Sequence, residues 1–455
     1  MLFSELNLPA ALAQGLQDVE YIDMTLVQAA SLPTILGGGD VIAQAHTGSG
    51  KTAAFALGLL AAVEASVSTV QGLVLCPTRE LADQVSREIR RLARAIPNIK
   101  VLTLCGGVSL RPQLASLKHL PHIVVGTPGR IQELMEKQVL PLATVKVLVL
   151  DEADRMLDMG FADTIELVVN AVPGERQTLL FSATIPAEIR AISRRLQREP
   201  LDVSIEDAET RPQIDQLFFK AEAEHKLAAL RALLLHHKPE SAVVFCNTRH
   251  EVRSVEAYLA QNDFAVLALH GELDQREREE MLVRFANRSC TVLVASDVAA
   301  RGLDIADLAL VVNYELAGDA DTHLHRVGRT GRAGRSGLAL SLCSSRESGR
   351  LRAIGDASET PLQWGTLPAA VGQPLPAPFV TLVVDAGRQD KLRPGDLLGA
   401  LTGGAGLASS AVGKIDTFAT RTYVAIARDA VAQARSGLRA GKIKGRNFRV
   451  RELAI

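Results

Sequence analysis

The segment Ala45-His46-Thr47-Gly48-Ser49-Gly50-Lys51-Thr52 follows an apolar run and opens a helical pattern. Glycines in that setting let backbone amides curl around phosphate oxygens at a helix start. Lys51 is placed to reach the β- and γ-phosphates, and the Thr52 hydroxyl to bind Mg²⁺. Ala45 stands where the strict form of this loop has glycine. Roughly a hundred residues on, Asp151-Glu152-Ala153-Asp154 closes the apolar run Val147–Leu150. There Asp151 would hold the metal, and Glu152 would orient and deprotonate a water attacking the terminal phosphate. Taken alone, acidic residues at a strand end form a solvated turn or a helix N-cap. With the glycine-rich loop upstream, they complete a nucleoside triphosphate site.

A second constellation, His325-Arg326-Val327-Gly328-Arg329-Thr330-Gly331-Arg332, is dense in arginine. Phosphoryl transfer builds negative charge on the transferring oxygens, and a guanidinium delivered to them lowers the barrier. Smaller motifs lie between. In Pro77-Thr78-Arg79-Glu80-Leu81, Gly106-Gly107 and Thr127-Pro128-Gly129-Arg130, Gly107 permits close backbone approach. Arg79 and Arg130 are suited to the phosphates of a polynucleotide.

These groups need elements to position them. The chain has 455 residues, which suggests about three domains. It is 47 % hydrophobic and 22 % charged, an ordinary balance that excludes extended disorder and collagen-like or disulfide-scaffold classes. No run of about 18 apolar residues is present, and Met1–Glu5 does not read as a signal peptide. The five cysteines are odd in number and form no C-x-x-C pair, so buried reduced thiols in a cytoplasmic protein are expected.

Short apolar runs alternate with helical patterns twice over. The first series is 41–43, 73–76, 101–104, 123–125, 147–150 and 179–181. The second is 217–219, 243–246, 266–269, 292–295, 310–312 and 338–342. Continuous apolar strands separated by helices predict parallel sheets covered on both faces. The fold class is therefore α/β, with two tandem parallel-sheet domains over 1–205 and 213–357. Five of the 19 prolines fall between Pro361 and Pro378, which marks 358–377 as a linker. Residues 378–455 then form a small α+β domain. Its expected strands are 380–384, 423–426 and 448–450, and its expected helices lie near 396–402 and 425–434.

The net charge of −1 argues against a nucleic-acid partner only until it is divided. Residues 378–455 hold 13 Lys and Arg against six Asp and Glu, a net of +7. The remainder holds 37 against 45, a net of −8. On a strand, Lys442, Lys444 and Arg446 would share one face, suited to RNA phosphates.

The order of these motifs resembles that of the DEAD-box RNA helicases, whose name Asp151–Asp154 spells. The resemblance adds Gln28 as the adenine-reading glutamine, with Phe3 as an aromatic packed near the base. Leu26 and Glu20 stand where the family has proline and glycine. The resemblance implies that Pro77, Arg79, Gly107, Thr127 and Arg130 line the RNA track. It gives Ser182 and Thr184, with Asp154, the role of coupling nucleotide state to strand opening. In the second half, Asn247, Arg276 and the stretch Ser296–Asp304 match. It places Ser296, Asp297 and Arg276 near RNA, and Gly302 and Asp304 at the nucleotide. Arg329 and Arg332 fall at the finger positions, with His325 and Arg326 in coupling roles.

Residues 395–402, 413–415 and 441–445 resemble the RNA-binding domain of DbpA-type DEAD-box proteins, which has an RNA-recognition-motif (RRM) fold. The stacking aromatics are incomplete, with only Phe418 and Tyr423. A structured hairpin, contacted by Lys414, Lys442, Lys444 and Arg446, is the expected target. The implied protein is a monomeric, ATP- and Mg²⁺-dependent RNA helicase with two RecA-like domains, acting on 23S rRNA in large-subunit assembly. A general helicase of RNA decay or cold response, a DNA translocase and a non-hydrolysing RNA clamp remain open alternatives.

Overall fold

Strong β-formers fill the apolar runs, and in the computed structural model they become strands. The structure describes residues 1–45, 48–204, 214–297, 308–331, 337–358 and 361–453. The chain divides into two compact units, one from Met1 to Arg211 and one taking up most of the chain from Pro212 on.

The first unit carries β1 (Val41–Gln44), β2 (Gly72–Leu75), β3 (Val101–Leu104), β4 (Ile123–Gly126), β5 (Val147–Asp151), β6 (Gln177–Ser182) and β7 (Leu201–Ser204). They pair in parallel in the order β3-β4-β2-β5-β6-β1-β7. Helices cover both faces, so alternate residues enter two cores. Val41, Val74, Val149 and Phe181 face one, and Ile42, Leu73, Leu148 and Leu180 the other. Edge strand β7 was not expected from sequence. It is mostly exposed and pairs only with β1, so it lacks a continuous apolar run.

The second unit repeats the plan with β8 (Ile214–Lys220), β9 (Ala242–Cys246), β10 (Val266–Leu269), β11 (Val292–Ser296), β12 (Leu310–Asn313), β13 (Gly337–Cys343) and β14 (Gln363–Trp364). Its order, β10-β11-β9-β12-β13-β8-β14, is the same permutation as in the first sheet. The two-residue β14 lies inside the proline-rich segment, which therefore begins as a strand on the sheet edge.

The third sheet is antiparallel, β16-β17-β15-β18, from β15 (Phe379–Val384), β16 (Val412–Thr417), β17 (Thr422–Ala427) and β18 (Val450–Glu452). Helices Pro394–Gly399 and Val431–Ala440 complete a β-α-β-β-α-β order. Two expectations are corrected. The helix read over 425–434 is strand β17 as far as Ala427, and the helix starts at Val431. Residues Thr422–Ile426 are buried on both faces of the sheet, so strand alternation is hidden. The basic segment 442–446 is not a strand. Lys444 and Gly445 have φ of 53° and 76°, and Ile443 and Arg446 exchange backbone hydrogen bonds across a tight turn.

One face of the third sheet packs on its own helices through Leu382, Val384, Val424 and Ile426. The opposite face is also buried. Val383 and Tyr423 pack with Val283, at the end of helix Gln275–Ala286. Asn287 Nδ2 donates to Thr381 Oγ1 at 2.9 Å, and Thr381 Oγ1 donates to Ser289 Oγ at 2.8 Å. The C-terminal module thus shares a core with the second RecA-like domain. Val383, fully buried there, is expected to tolerate no charge. Val383→Asp should lower the stability of the full chain by about 3 kcal/mol or more, read by denaturant unfolding.

Candidate active site and RNA interface

The phosphate loop joins β1 to helix Lys51–Ala62. Gly48 and Gly50 have φ of 92° and 90°, a conformation that favours glycine. The space also demands it, because a Cβ on Gly50 would lie 2.5 Å from Gln28 Nε2. His46 and Thr47 lie outside the described residues.

Lys51 Nζ sits 3.4 Å from Asp151 Oδ1, with the side chains 4 % and 0 % exposed. Apart from this pair, neither Lys51 Nζ nor either Asp151 oxygen has a hydrogen-bond partner among the described residues, and Ser49 Oγ is likewise buried without one. Burial pushes the Asp151 carboxyl up to about 6, against the pull of Lys51. Burial works to lower Lys51, but the carboxylates of Asp151, Glu152 and Asp154 outweigh it and hold the ammonium above its usual value. Two opposite charges held together with open bonding capacity suit a ligand that carries both signs. A polyphosphate with a divalent cation is such a ligand: Ser49 and Lys51 fit its oxygens, and Asp151 with Thr52 fits the metal.

Asp151 ends β5, and Glu152 follows in the left-handed region at φ 55°, ψ 54°. That conformation costs a non-glycine residue about 1–2 kcal/mol. It turns the Glu152 side chain out of the helix Ala153–Asp158 that it caps. Arg155 Nη1 donates to Glu152 Oε2 at 2.6 Å. Asp154 joins the next strand: Thr184 donates to Asp154 Oδ2 through its backbone N–H at 2.9 Å and its hydroxyl at 3.0 Å. The Asp154 N–H in turn donates to Ser182 Oγ. The three coupling residues are therefore in direct contact.

A cavity of about 380 Å³ opens over Lys51, Thr52, Asp151 and Glu152. Its far wall is Tyr21 with Gln84, Arg87, Glu88 and Arg91 of helix Arg79–Leu92. Sequence reading missed this wall, because no motif marks it. The Tyr21 hydroxyl donates to Glu88 at 2.9 Å, and Arg91 lies 5.0 Å over the ring. Burial, then Glu88, pushes that hydroxyl above its usual value. Phe3 is buried among core residues and stacks on Tyr21 at 6.1 Å. It is Tyr21, not Phe3, that faces the cavity. The Gln28 amide caps its own helix by accepting from Thr25 N–H at 2.8 Å, and it donates to the Gly50 carbonyl at 3.0 Å. Its second N–H and second lone pair are the groups a base would use.

The expected RNA-track residues follow the C-terminal ends of β2, β3 and β4, the usual binding edge of a parallel sheet. Thr127 accepts from Gly106 N–H at 3.3 Å, which links two of the loops. Gly107 is exposed at a turn with φ 74°. Pro77 is buried, and Arg79 sits 3.7 Å from Asp83. Arg130 is drawn inward, donating to the Val108 carbonyl at 3.1 Å and pairing with Glu133. It thereby braces the glycine loop.

In the second unit Arg326 is 2 % exposed and grips Asp297 with two bonds of 2.6 Å. It also donates to Asn247 Oδ1 and the Glu315 carbonyl, each at 2.7 Å. Arg326 and Asp297 thus tie the ends of β9, β11 and β12 together. Arg329 is buried at 6 %, and Ser296 at 8 %. Arg276 is exposed on the first turn of its helix. Gly302, Asp304 and Arg332 lie outside the described residues.

The helix after β8 begins with Lys226, as the helix after β1 begins with Lys51. Lys226 is fully satisfied, by Glu347 at 2.6 Å and the carbonyls of Tyr314 and Leu342 at 2.8 and 3.0 Å. In the C-terminal module Lys414 is 54 % exposed on β16, and Lys444 is 51 % exposed beside Asp396. Lys442 and Arg446 are exposed on the tight turn.

This geometry is matched by relatives. A DEAD/DEAH box helicase family matches residues 25–192, a helicase conserved C-terminal domain 225–334, and a DbpA RNA binding domain 381–452. The chain belongs to the DEAD-box ATP-dependent RNA helicases. It is 52 % identical over 453 residues to the ATP-dependent RNA helicase DbpA of Escherichia coli (strain K12), covering 99 % of each chain. Identity to the DEAD-box ATP-dependent RNA helicase CshA of Bacillus anthracis is 42 % over 353 residues, 77 % of this chain and 67 % of that one. Among solved structures, S. cerevisiae Dbp5 bound to RNA and ADP BeF3 matches with TM-score 0.72 at 30 % identity, over 80 % of this chain and 96 % of that chain. Mss116p bound to ssRNA and AMP-PNP matches with TM-score 0.72 at 27 % identity, over 80 % and 78 %.

Gly50→Ala would combine backbone strain with a clash on Gln28. It is expected to raise the KM for ATP at least about tenfold and to destabilise the chain by about 1 kcal/mol or more. Nucleotide titration and thermal unfolding check the two effects.

Proposed function

We propose that this helicase remodels 23S rRNA during assembly of the large ribosomal subunit, held near its target by a C-terminal module that grips an rRNA hairpin. The observation that carries the catalytic part is the cluster of Ser49, Lys51 and Asp151 beneath the cavity, buried with hydrogen-bonding capacity left open among the described residues. The ribosomal part rests on full-length similarity to the E. coli helicase and on the basic module.

Lys51 and the loop amides bind the phosphates of ATP, and the Gln28 amide reads the adenine edge. Mg²⁺, held by Asp151 and Thr52, would neutralise charge on the phosphate oxygens. Glu152 orients the attacking water and takes its proton. Arg329 and Arg332 belong to the second RecA-like domain, here taken as 213–357 beside a first domain of 1–205. They reach the transferring phosphoryl group only when RNA and ATP favour closure, so hydrolysis depends on both ligands. The linker is 358–377 and the RNA module 378–455. The protein acts as a cytoplasmic monomer.

Glu152→Gln is expected to lose nearly all RNA-stimulated turnover while ATP affinity persists, and steady-state hydrolysis beside nucleotide titration reads both. A general helicase with an unspecific basic tail is the second reading. Deletion of 378–455 would separate the two, but it bares Val283. Reversing Lys442, Lys444 and Arg446 to Glu leaves the shared core intact. That triple variant should lose preference for a hairpin-bearing rRNA fragment by about tenfold or more while ATP turnover on saturating generic RNA is kept. ATP turnover across a panel of rRNA fragments measures it, and an unchanged preference would favour the second reading.

A further inference from the structure

We propose that Arg155 is a positioning residue for ATP hydrolysis, one that fixes the carboxylate of Glu152. The inference rests on the reading of Glu152 as the base. Arg155 Nη1 lies 2.6 Å from Glu152 Oε2, and the two side chains are 6 % and 4 % exposed. Exposed ion pairs three residues apart on a helix are common and weak, whereas this one is enclosed. A buried ion pair is a poor way to add stability, since its desolvation offsets most of its attraction. What it does supply is a fixed geometry.

The backbone makes that geometry necessary. Glu152 is in the left-handed region, and its side chain makes no capping bond to the backbone of the helix that follows. A long, flexible carboxylate beside an open cavity has several rotamers, and water activation needs one. Arg155 reaches back over one turn and ties Oε2, which sets where Oε1 can lie. Its own backbone is held as well, because Arg155 N–H donates to Asp154 Oδ1 at 2.9 Å. Asp154 accepts Thr184 on its other oxygen. A continuous path therefore runs from Thr184 through Asp154 and Arg155 to Glu152. Movement of the 182–184 segment would be felt at the base through Arg155.

The test uses the full chain. Arg155→Gln is expected to lower kcat at saturating RNA by roughly 10- to 100-fold, with affinity for a fluorescent ATP analogue changed less than about threefold. Arg155→Lys, which keeps the charge and one donor, should recover most of kcat. In the nucleotide-free protein, Arg155→Gln should lower Tm by removing an enclosed ion pair from a buried carboxylate. Combining it with Glu152→Gln should restore part of that loss. Unchanged kcat in Arg155→Gln would overturn the proposal. So would nucleotide affinity falling in step with kcat, or additive Tm shifts in the double variant. Unchanged turnover in Glu152→Gln would instead remove the base itself, so the two failures are distinguishable.

Discussion

An ammonium and a carboxylate, 3.4 Å apart and buried at the floor of a cavity, with no hydrogen bonds among the described residues to complete them, set the terms for the first domain. Protein interiors rarely leave charge in that condition. The site tolerates it because β1 and β5 end at the same edge of the sheet, with β6 between them, and the helix after β1 starts with the lysine. A ligand bringing phosphate oxygens and a cation completes both groups at once, so binding adds to stability as well as to chemistry. The strained Glu152 and the inward-turned Arg130 belong to the same economy of space around the C-terminal edge of the sheet.

The second domain shows what the fold does when that constraint is lifted. Its sheet repeats the strand order, and Lys226 occupies the address of Lys51. There the ammonium is closed by Glu347 and two carbonyls, and its three donors are all taken. The neighbouring strand ends are closed by Arg326 with Asp297 and Asn247. One architecture thus holds its leading lysine open once and closed once. The difference lies in a handful of polar contacts.

Much of this was legible in the sequence where chemistry and periodicity coincide. Continuous apolar strands between helices announced the two parallel sheets. The glycines, Lys51 and Asp151 announced a phosphate-loop geometry, and Lys51 and Asp151 do come together. Legibility failed where burial and pattern part company. Strand β7 is an exposed edge, and β17 is buried on two faces and so lost its alternation. The wall built by Tyr21, Glu88 and Arg91 arises from packing between distant segments, which no spacing encodes. Arg155 did carry a local sign, three residues after Glu152, but such pairs are usually solvated. The basic tail misled because alternation of charge suits a strand, while Gly445 directs a turn.

The absence of stacking aromatics on the third sheet reads differently once its outer face is seen against Val283, Asn287 and Ser289. Those strand positions answer to a neighbour within the chain, not to bases. Modularity is limited accordingly. The basic module is not a bead on a string that could be moved intact to another motor. A graft would have to carry its seat on the second domain with it, and descent with variation is constrained likewise. Changes at Thr381, Val383 or Tyr423 must be matched across the seam, while the exposed turn around Lys444 is free to drift toward new RNA.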